Sequence, residues 1–187
     1  PPTQAGHPAY PGGSGARPAP MRTPVRGGAD RDARHPRVTV LARGRAAGVP
    51  AGVGWAALCR LVTQTHLRGE RGVPVSSAAV LAAACGGPGG PGGPGGGGRA
   101  GGGEPSPLVV LLGPDSDVGR ALLAKRTDRA RELLAAWRRR LPPDAVVIEV
   151  VCHGGPEGTP ASRSHARRLL GLADEQGVSA VLTAAVR

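Results

Sequence analysis

The sequence is poor in aromatic side chains and in several other residue types. It contains no Phe and no Asn, and a single Lys and a single Ile. Its aromatic residues are Tyr10, Trp55 and Trp137. Because proteins that bind single-stranded nucleic acid stack bases on aromatic rings, this scarcity argues against such a module. Arg, Ala, Gly and Pro are abundant instead, a bias typical of a GC-rich gene, so the preference for Arg does not by itself indicate phosphate recognition.

Cysteine and long apolar runs are also scarce. Cys59, Cys85 and Cys152 form an odd set without CxxC spacing, which favours neither a disulfide framework nor a zinc site. Cys59 falls on the apolar stripe of a predicted helix, where we expect a small core residue. No run of 18 or more apolar residues and no leader-like start occurs. We therefore expect a soluble, cytoplasmic chain with no membrane partner.

Two segments have too little apolar content to fold. Residues 1–33 are rich in Pro, Gly and Arg, and residues 86–107 are a low-complexity Gly/Pro insert. Neither buries enough surface to offset the entropy of ordering, so we predict that both are disordered. The remaining chain forms one predicted α/β domain over 34–187, interrupted by the insert.

The net charge of +11 is unevenly distributed. Residues 1–50 carry 8 Arg and 2 Asp, whereas residues 108–187 carry 12 basic and 9 acidic side chains. The basic N-terminal region indicates either salt-sensitive, sequence-independent contact with nucleic acid or a solvated tail. Both interpretations stay open.

The foldable parts alternate between strand and helix periodicity. Strands are predicted at 37–43, 108–113, 145–151 and 179–186, and helices at 54–67, 76–85, 115–125, 127–141 and 159–177. On the first helix the apolar stripe consists of Trp55, Leu58, Cys59 and Val62. Alternation of this kind predicts parallel strands joined by helical crossovers, in a barrel or an open sheet.

Helix-end residues support these boundaries. Thr127 and Thr159 are positioned as N-caps, Pro160 as the first helical residue, and Gly177 as a stop. The fourth helix carries its apolar residues along one side, and the fifth has His165, Leu169, Leu172 and Ala173 on a stripe. We expect His66 and His165 to be packed or half-exposed helical residues rather than ligands. We likewise expect Asp115 and Asp117 to be helix-capping acids, since "GPDSDVGR" has no phosphate-loop pattern.

Glu149 is the best candidate for chemistry. It interrupts the apolar run of "VVIEVVCHGG" and shares one strand face with Val147 and Val151. His153 follows in the next loop. A carboxylate and an imidazole are plausible ligands for a metal ion, although two residues do not make a site.

Three segments resemble a known family in consistent order. They are "GWAALCRLVTQTHLRG", "LVVLLGPDSDVGRALLAKRTDRARELLAAWRRRLPPDAVVIEVVCHGGP" and "HARRLLGLADEQGVSAVLTAAVR". Together they resemble the PHP (polymerase and histidinol phosphatase) domain of bacterial C-family DNA polymerases, of the DNA polymerase III α-subunit type and closest to the error-prone paralogue. The resemblance covers roughly residues 34–85 and 108–187.

The resemblance implies a distorted (β/α) barrel with a metal centre at its mouth. Glu149 matches the family's strand glutamate ligand, so we predict it as a vestigial metal ligand. Where metal-competent members carry further ligands this chain has Ala185 and Arg187, and the family's early His-x-His motif is missing. One carboxylate cannot hold a polynuclear centre, so we expect no cofactor for this chain and no catalytic residue.

The fold prediction is therefore a partial PHP-like barrel with parallel strands. By the resemblance, the chain is a fragment of an error-prone polymerase that lacks the palm and its Mg²⁺ site, and that reaches DNA through the palm and thumb of its parent. Two other functions stay open: an active PHP-type phosphoesterase or exonuclease, and a basic nucleic-acid-binding module.

Overall fold

A computed structural model describes residues 36–68, 76–86 and 105–184 of the chain. The strands are β1 (Thr39–Ala42), β2 (Leu108–Leu112), β3 (Val146–Val150) and β4 (Ala180–Leu182). The helices are α1 (Val53–Arg68), α2 (Ala78–Ala84), α3 (Asp117–Leu123), α4 (Thr127–Arg140) and α5 (Arg163–Gln176). This is the order of elements that the sequence predicts.

The predicted disordered segment at 1–33, and all but the two ends of the insert at 86–107, lie outside the described residues. The structured chain resumes before the predicted end of the insert. Ser106 is buried there, and its hydroxyl lies within hydrogen-bond distance of the carbonyl oxygens of Cys85, at 2.9 Å, and Leu108, at 2.8 Å.

The four described strands form one open sheet in the order β1-β2-β3-β4. β2, β3 and β4 run parallel, as predicted, whereas β1 pairs with β2 in the antiparallel sense. The prediction of parallel strands throughout is therefore wrong for β1. A connection made of helices can return the chain to either end of a sheet, so the order of elements does not fix strand direction. The described sheet keeps two edges, β1 and β4, and does not close into a barrel.

The core lies between one face of the sheet and all five helices. Alternate strand residues such as Val110, Leu112 and Ile148 point into this core and are fully buried. β2 is buried along most of its length, which fits its unbroken apolar sequence. α4 contributes Ala130 and Leu134, as its predicted stripe requires. The other face of β3 carries Val147 and Glu149, which are only partly buried.

Three of the described helices, α2, α3 and α5, are capped at the N-terminus by serine. Ser77, Ser116 and Ser162 each accept a hydrogen bond from a backbone N–H in the first turn of α2, α3 and α5. The predictions of Thr127 and Thr159 as caps are wrong. Thr127 is already inside α4, and α5 begins three residues later than predicted because Ala161 adopts a positive φ of 60° just before it. Gly177 ends α5 in the left-handed conformation, as predicted.

Of the predicted apolar stripe of α1, only Leu58 packs against the core. Gly54, Ala57 and Leu61 face the core, while Trp55 and Cys59 are exposed. The prediction of Cys59 as a core residue is therefore wrong. The reason is close approach: a Cβ on Gly54 would lie 2.1 Å from the carbonyl oxygen of Arg43. Gly54 lets the helix backbone reach the end of β1, and Trp55 and Cys59 are turned outward.

Polar contacts tie the periphery of the fold together. Arg131 of α4 binds both carboxylate oxygens of Glu175 in α5, at 2.8 and 3.0 Å. At the start of β3, Asp144 pairs with Arg43 and accepts from the backbone N–H of Ser106 at 2.8 Å. None of the described helices combines the length and apolar character needed to cross a bilayer.

Candidate functional site

Glu149 stands near the carboxyl end of the central parallel strand. It pairs in register with Val181 of β4, and Gly113 follows β2 directly on the other side. The carboxyl ends of parallel strands are where open α/β sheets and barrels place ligand sites. The position that the sequence singled out is therefore in the right part of the fold for a site.

The carboxylate of Glu149 is held by its neighbours. The hydroxyl of Thr183 donates a hydrogen bond of 2.8 Å to Oε1. On the β2 side, a Cβ added to Gly113 would lie 2.2 Å from Oε2, so only glycine leaves room for this rotamer. Glu149 thus links three adjacent strand ends.

The sequence patterns do not point to Gly113 and Thr183 as contacts of Glu149. A glycine directly after a buried strand is a signal of close approach, and it was available in the sequence for Gly113. Thr183 carried no comparable signal, because its role depends on which strand pairs with β3.

His153 lies in the loop between β3 and α5 with its side chain exposed. Its backbone N–H donates to the carbonyl oxygen of Ala161 at 2.9 Å, which folds the loop back on itself. Gly154 and Gly158 take positive φ values that allow these turns. His66, predicted as packed or half-exposed, is exposed on α1.

The two aspartates of "GPDSDVGR", Asp115 and Asp117, flank the N-cap of α3. Ser116, between them, is the N-cap of α3. Asp117 lies in the first turn of α3, where its carboxylate accepts from the indole N–H of Trp137 in α4 at 3.0 Å. This bond fixes α3 against α4 and gives Asp117 a packing role. The prediction of Asp115 and Asp117 as helix-capping acids is thus only half right. Asp117 lies in the first turn of α3, but the N-cap itself is Ser116.

His165 is fully buried between α5 and α3, as its place on the predicted apolar stripe indicates. Its Nε2 lies 2.9 Å from the carbonyl oxygen of Gly119. Because a carbonyl only accepts, Nε2 carries the proton, and the buried Nδ1 has no hydrogen-bond partner. Burial lowers the pKa of His165, with a smaller opposing effect from the Gly119 bond.

The described cysteines differ in environment. Cys85 is buried at the end of α2, and burial raises its pKa to about 11, so its thiol is a poor nucleophile at neutral pH. Cys59 and Cys152 are exposed.

Within residues 36–68, 76–86 and 105–184, no three His, Cys, Asp or Glu side chains are placed to share a metal ion. Glu149 is already bonded to Thr183 and belongs to no group of three such ligands among the described residues, which does not fit a polynuclear centre. Ala185 and Arg187, the positions of the replaced ligands, lie outside the described residues. A role for Glu149 as a vestigial ligand therefore stays a prediction.

No protein-family model matches the sequence, and no match is found among curated proteins. The interpretation of function accordingly depends on the residues themselves and on the geometry around Glu149.

Proposed function

We propose that this chain is a PHP-like scaffold domain of an error-prone DNA polymerase III α-type subunit, in which Glu149 stabilises the sheet instead of binding metal. The single observation that supports this role is the hydrogen bond from Thr183 to Glu149 across the ends of β3 and β4. It gives the carboxylate of Glu149 a structural partner in place of a cation.

The energetics favour a structural role for this carboxylate. A hydrogen bond to a charged group in a partly buried place contributes about 1.5–3 kcal/mol. The bond also joins β4, a short strand of three exposed residues, to the centre of the sheet. Loss of the Glu149 bond would therefore loosen the edge of the domain.

In the proposed role the domain contributes no chemistry. The palm and thumb of the polymerase are its partners, DNA is reached through them, and the Mg²⁺ ions of nucleotidyl transfer belong to the palm.

The test combines the purified chain with a polypeptide that carries the palm and thumb of an error-prone C-family polymerase without its PHP domain. We expect the two to form a complex in analytical ultracentrifugation, and we expect the complex, but not the chain alone, to extend a primed template. Glu149→Gln should keep the complex, because an amide oxygen still accepts from Thr183. Thr183→Val should weaken it by loosening β4.

The phosphoesterase alternative makes the opposite prediction. It requires Mn²⁺-dependent degradation of single-stranded DNA, or hydrolysis of p-nitrophenyl phosphate, that is lost in Glu149→Gln. That result, together with failure to bind the palm and thumb polypeptide, would reject the scaffold proposal.

A further inference from the structure

The two ends of the Gly/Pro insert meet in the fold. Cys85 ends α2, and Ser106 stands two residues before the start of β2. The Ser106 hydroxyl lies 2.9 Å from the carbonyl oxygen of Cys85, although 21 positions separate the two residues in the sequence. Both residues are buried. Because a helix and the next strand are usually joined by about 2–6 residues, far less chain than the insert is enough to make this contact.

Three polar residues fix this meeting point to the sheet. Asp144, just before β3, pairs with Arg43, just after β1, and its carboxylate accepts from the backbone N–H of Ser106 at 2.8 Å. The backbone N–H of Arg43 donates to the carbonyl oxygen of Pro107 at 2.9 Å. We call Arg43, Ser106 and Asp144 the clasp. The clasp holds the chain at the end of the insert against one strand that precedes the insert and one that follows it.

The parts of the chain before and after the insert also pack on each other directly. β1 pairs with β2 over its whole length. The core cluster likewise joins residues of α1 and α2, such as Leu61 and Leu81, to residues of β2 and α4, such as Leu108 and Leu134. These contacts need no residue between positions 87 and 104.

We infer that the clasp and the packing around it make the fold independent of the length and sequence of residues 87–104, so that this segment is a joint at which the chain tolerates change. The insert begins with a tandem repeat, three GGP triplets over residues 86–94. The cost of closing a flexible loop grows only with the logarithm of its length, so gain or loss of triplets has a small effect on folding. The inference goes beyond the proposed function and holds for any function of the domain.

The first test is a series of full chains that differ only in this segment. One chain has a Gly/Ser link of about four residues in place of residues 87–104, and another carries residues 87–104 twice. In urea denaturation, the folding equilibrium constant should rise by up to about tenfold in the short chain and fall about threefold in the long chain. A short chain that is less stable than the unchanged chain would overturn the inference, because residues 87–104 would then contribute contacts to the fold.

The second test cuts the connection. A recognition sequence for a site-specific protease replaces residues 90–97 of the full chain. After cleavage, the two pieces should elute as one species in size-exclusion chromatography and keep the far-UV circular dichroism of the uncut chain. Pieces that separate would show that the covalent connection holds the fold together, and this result would reject the inference.

Variants of the cut chain test the clasp itself. Asp144→Ala should weaken the association of the two pieces about tenfold, because Arg43 and the N–H of Ser106 lose their acceptor. Glu157→Ala, which changes an exposed carboxylate in the loop after β3, is the control and should leave the association unchanged. If the uncut Asp144→Ala chain does not fold, Ser106→Ala takes its place, since this change leaves Arg43 paired with Asp144. Association of a folded clasp variant as tight as that of the control would reject the role of the clasp.

Discussion

At the scale of single residues, the buried imidazole of His165 makes stability depend on pH. The side chain is neutral in the fold, because Nδ1 has no partner and burial disfavours the charged form. Asp115, which favours the charged form, and Arg168, which opposes it, also act on His165. Protonation would place an unpaired N–H and a positive charge between α3 and α5.

We therefore predict that the free energy of unfolding decreases in acid. The folded pKa lies below the ordinary value, so the unfolded chain takes up a proton as the pH falls through about 6.5 while the folded chain does not. Stability is fully present above pH 6.5 and falls below it by up to about 1.4 kcal/mol per pH unit, until the folded imidazole also ionises. Urea denaturation between pH 5 and 8 measures this slope.

Two variants identify the residue responsible. His165→Gln, which still donates to Gly119, should remove the His165 contribution to the slope. His66→Gln, which changes an exposed imidazole on α1, should leave the slope unchanged. A slope that persists in His165→Gln and disappears in His66→Gln would contradict the assignment.

At the scale of the elements, glycines set how closely helices approach the sheet and the loops. Gly54 places α1 against the end of β1, and Gly119 places α3 against the turn after β2. A Cβ on Gly54 would lie 2.1 Å from the carbonyl oxygen of Arg43, and a Cβ on Gly119 would lie 2.2 Å from that of Gly113. A backbone oxygen cannot change rotamer, so the helix itself would have to move. Gly171 of α5 is different, because a Cβ there would meet no atom within 4 Å.

We predict opposite effects for the same substitution at these sites. Gly54→Ala should destabilise the protein by at least about 2 kcal/mol, because α1 must move away from the sheet and leave the core underpacked. Gly171→Ala should stabilise it by about 0.5–1 kcal/mol, since alanine is the better residue inside a helix. Chemical denaturation of both variants measures the difference, and equal effects would contradict the packing described for α1.

At the scale of the whole molecule, the core cluster of the described residues joins all five helices to one face of the sheet. Most of the net charge lies in the same residues, which carry 16 basic and 9 acidic side chains, or +7 of the total +11. Residues 1–33 carry 4 Arg and 2 Asp and have too little apolar content to bury a core of their own.

We accordingly predict that deletion of residues 1–33 changes the free energy of unfolding by less than about 0.5 kcal/mol. Leu134→Ala, which removes a fully buried side chain of α4, should cost about 2–5 kcal/mol and serves as the control. Urea denaturation compares the two. If the chain is instead a nucleic-acid-binding module, the same deletion abolishes DNA binding in a salt-dependent assay.

The sequence by itself determined the number and order of the described strands and α-helices. Apolar periodicity and helix-end residues are local patterns, so β2, α4 and the end of α5 at Gly177 were predictable. A special role for Glu149 was also predictable, because a carboxylate within an apolar strand is conspicuous. The tertiary structure decided what depends on residues far apart in the chain. It set the antiparallel pairing of β1, the exposure of Trp55 and Cys59, and the contacts of Glu149 with Thr183 and Gly113. Strand pairing and close approach are long-range contacts, and no local pattern encodes them.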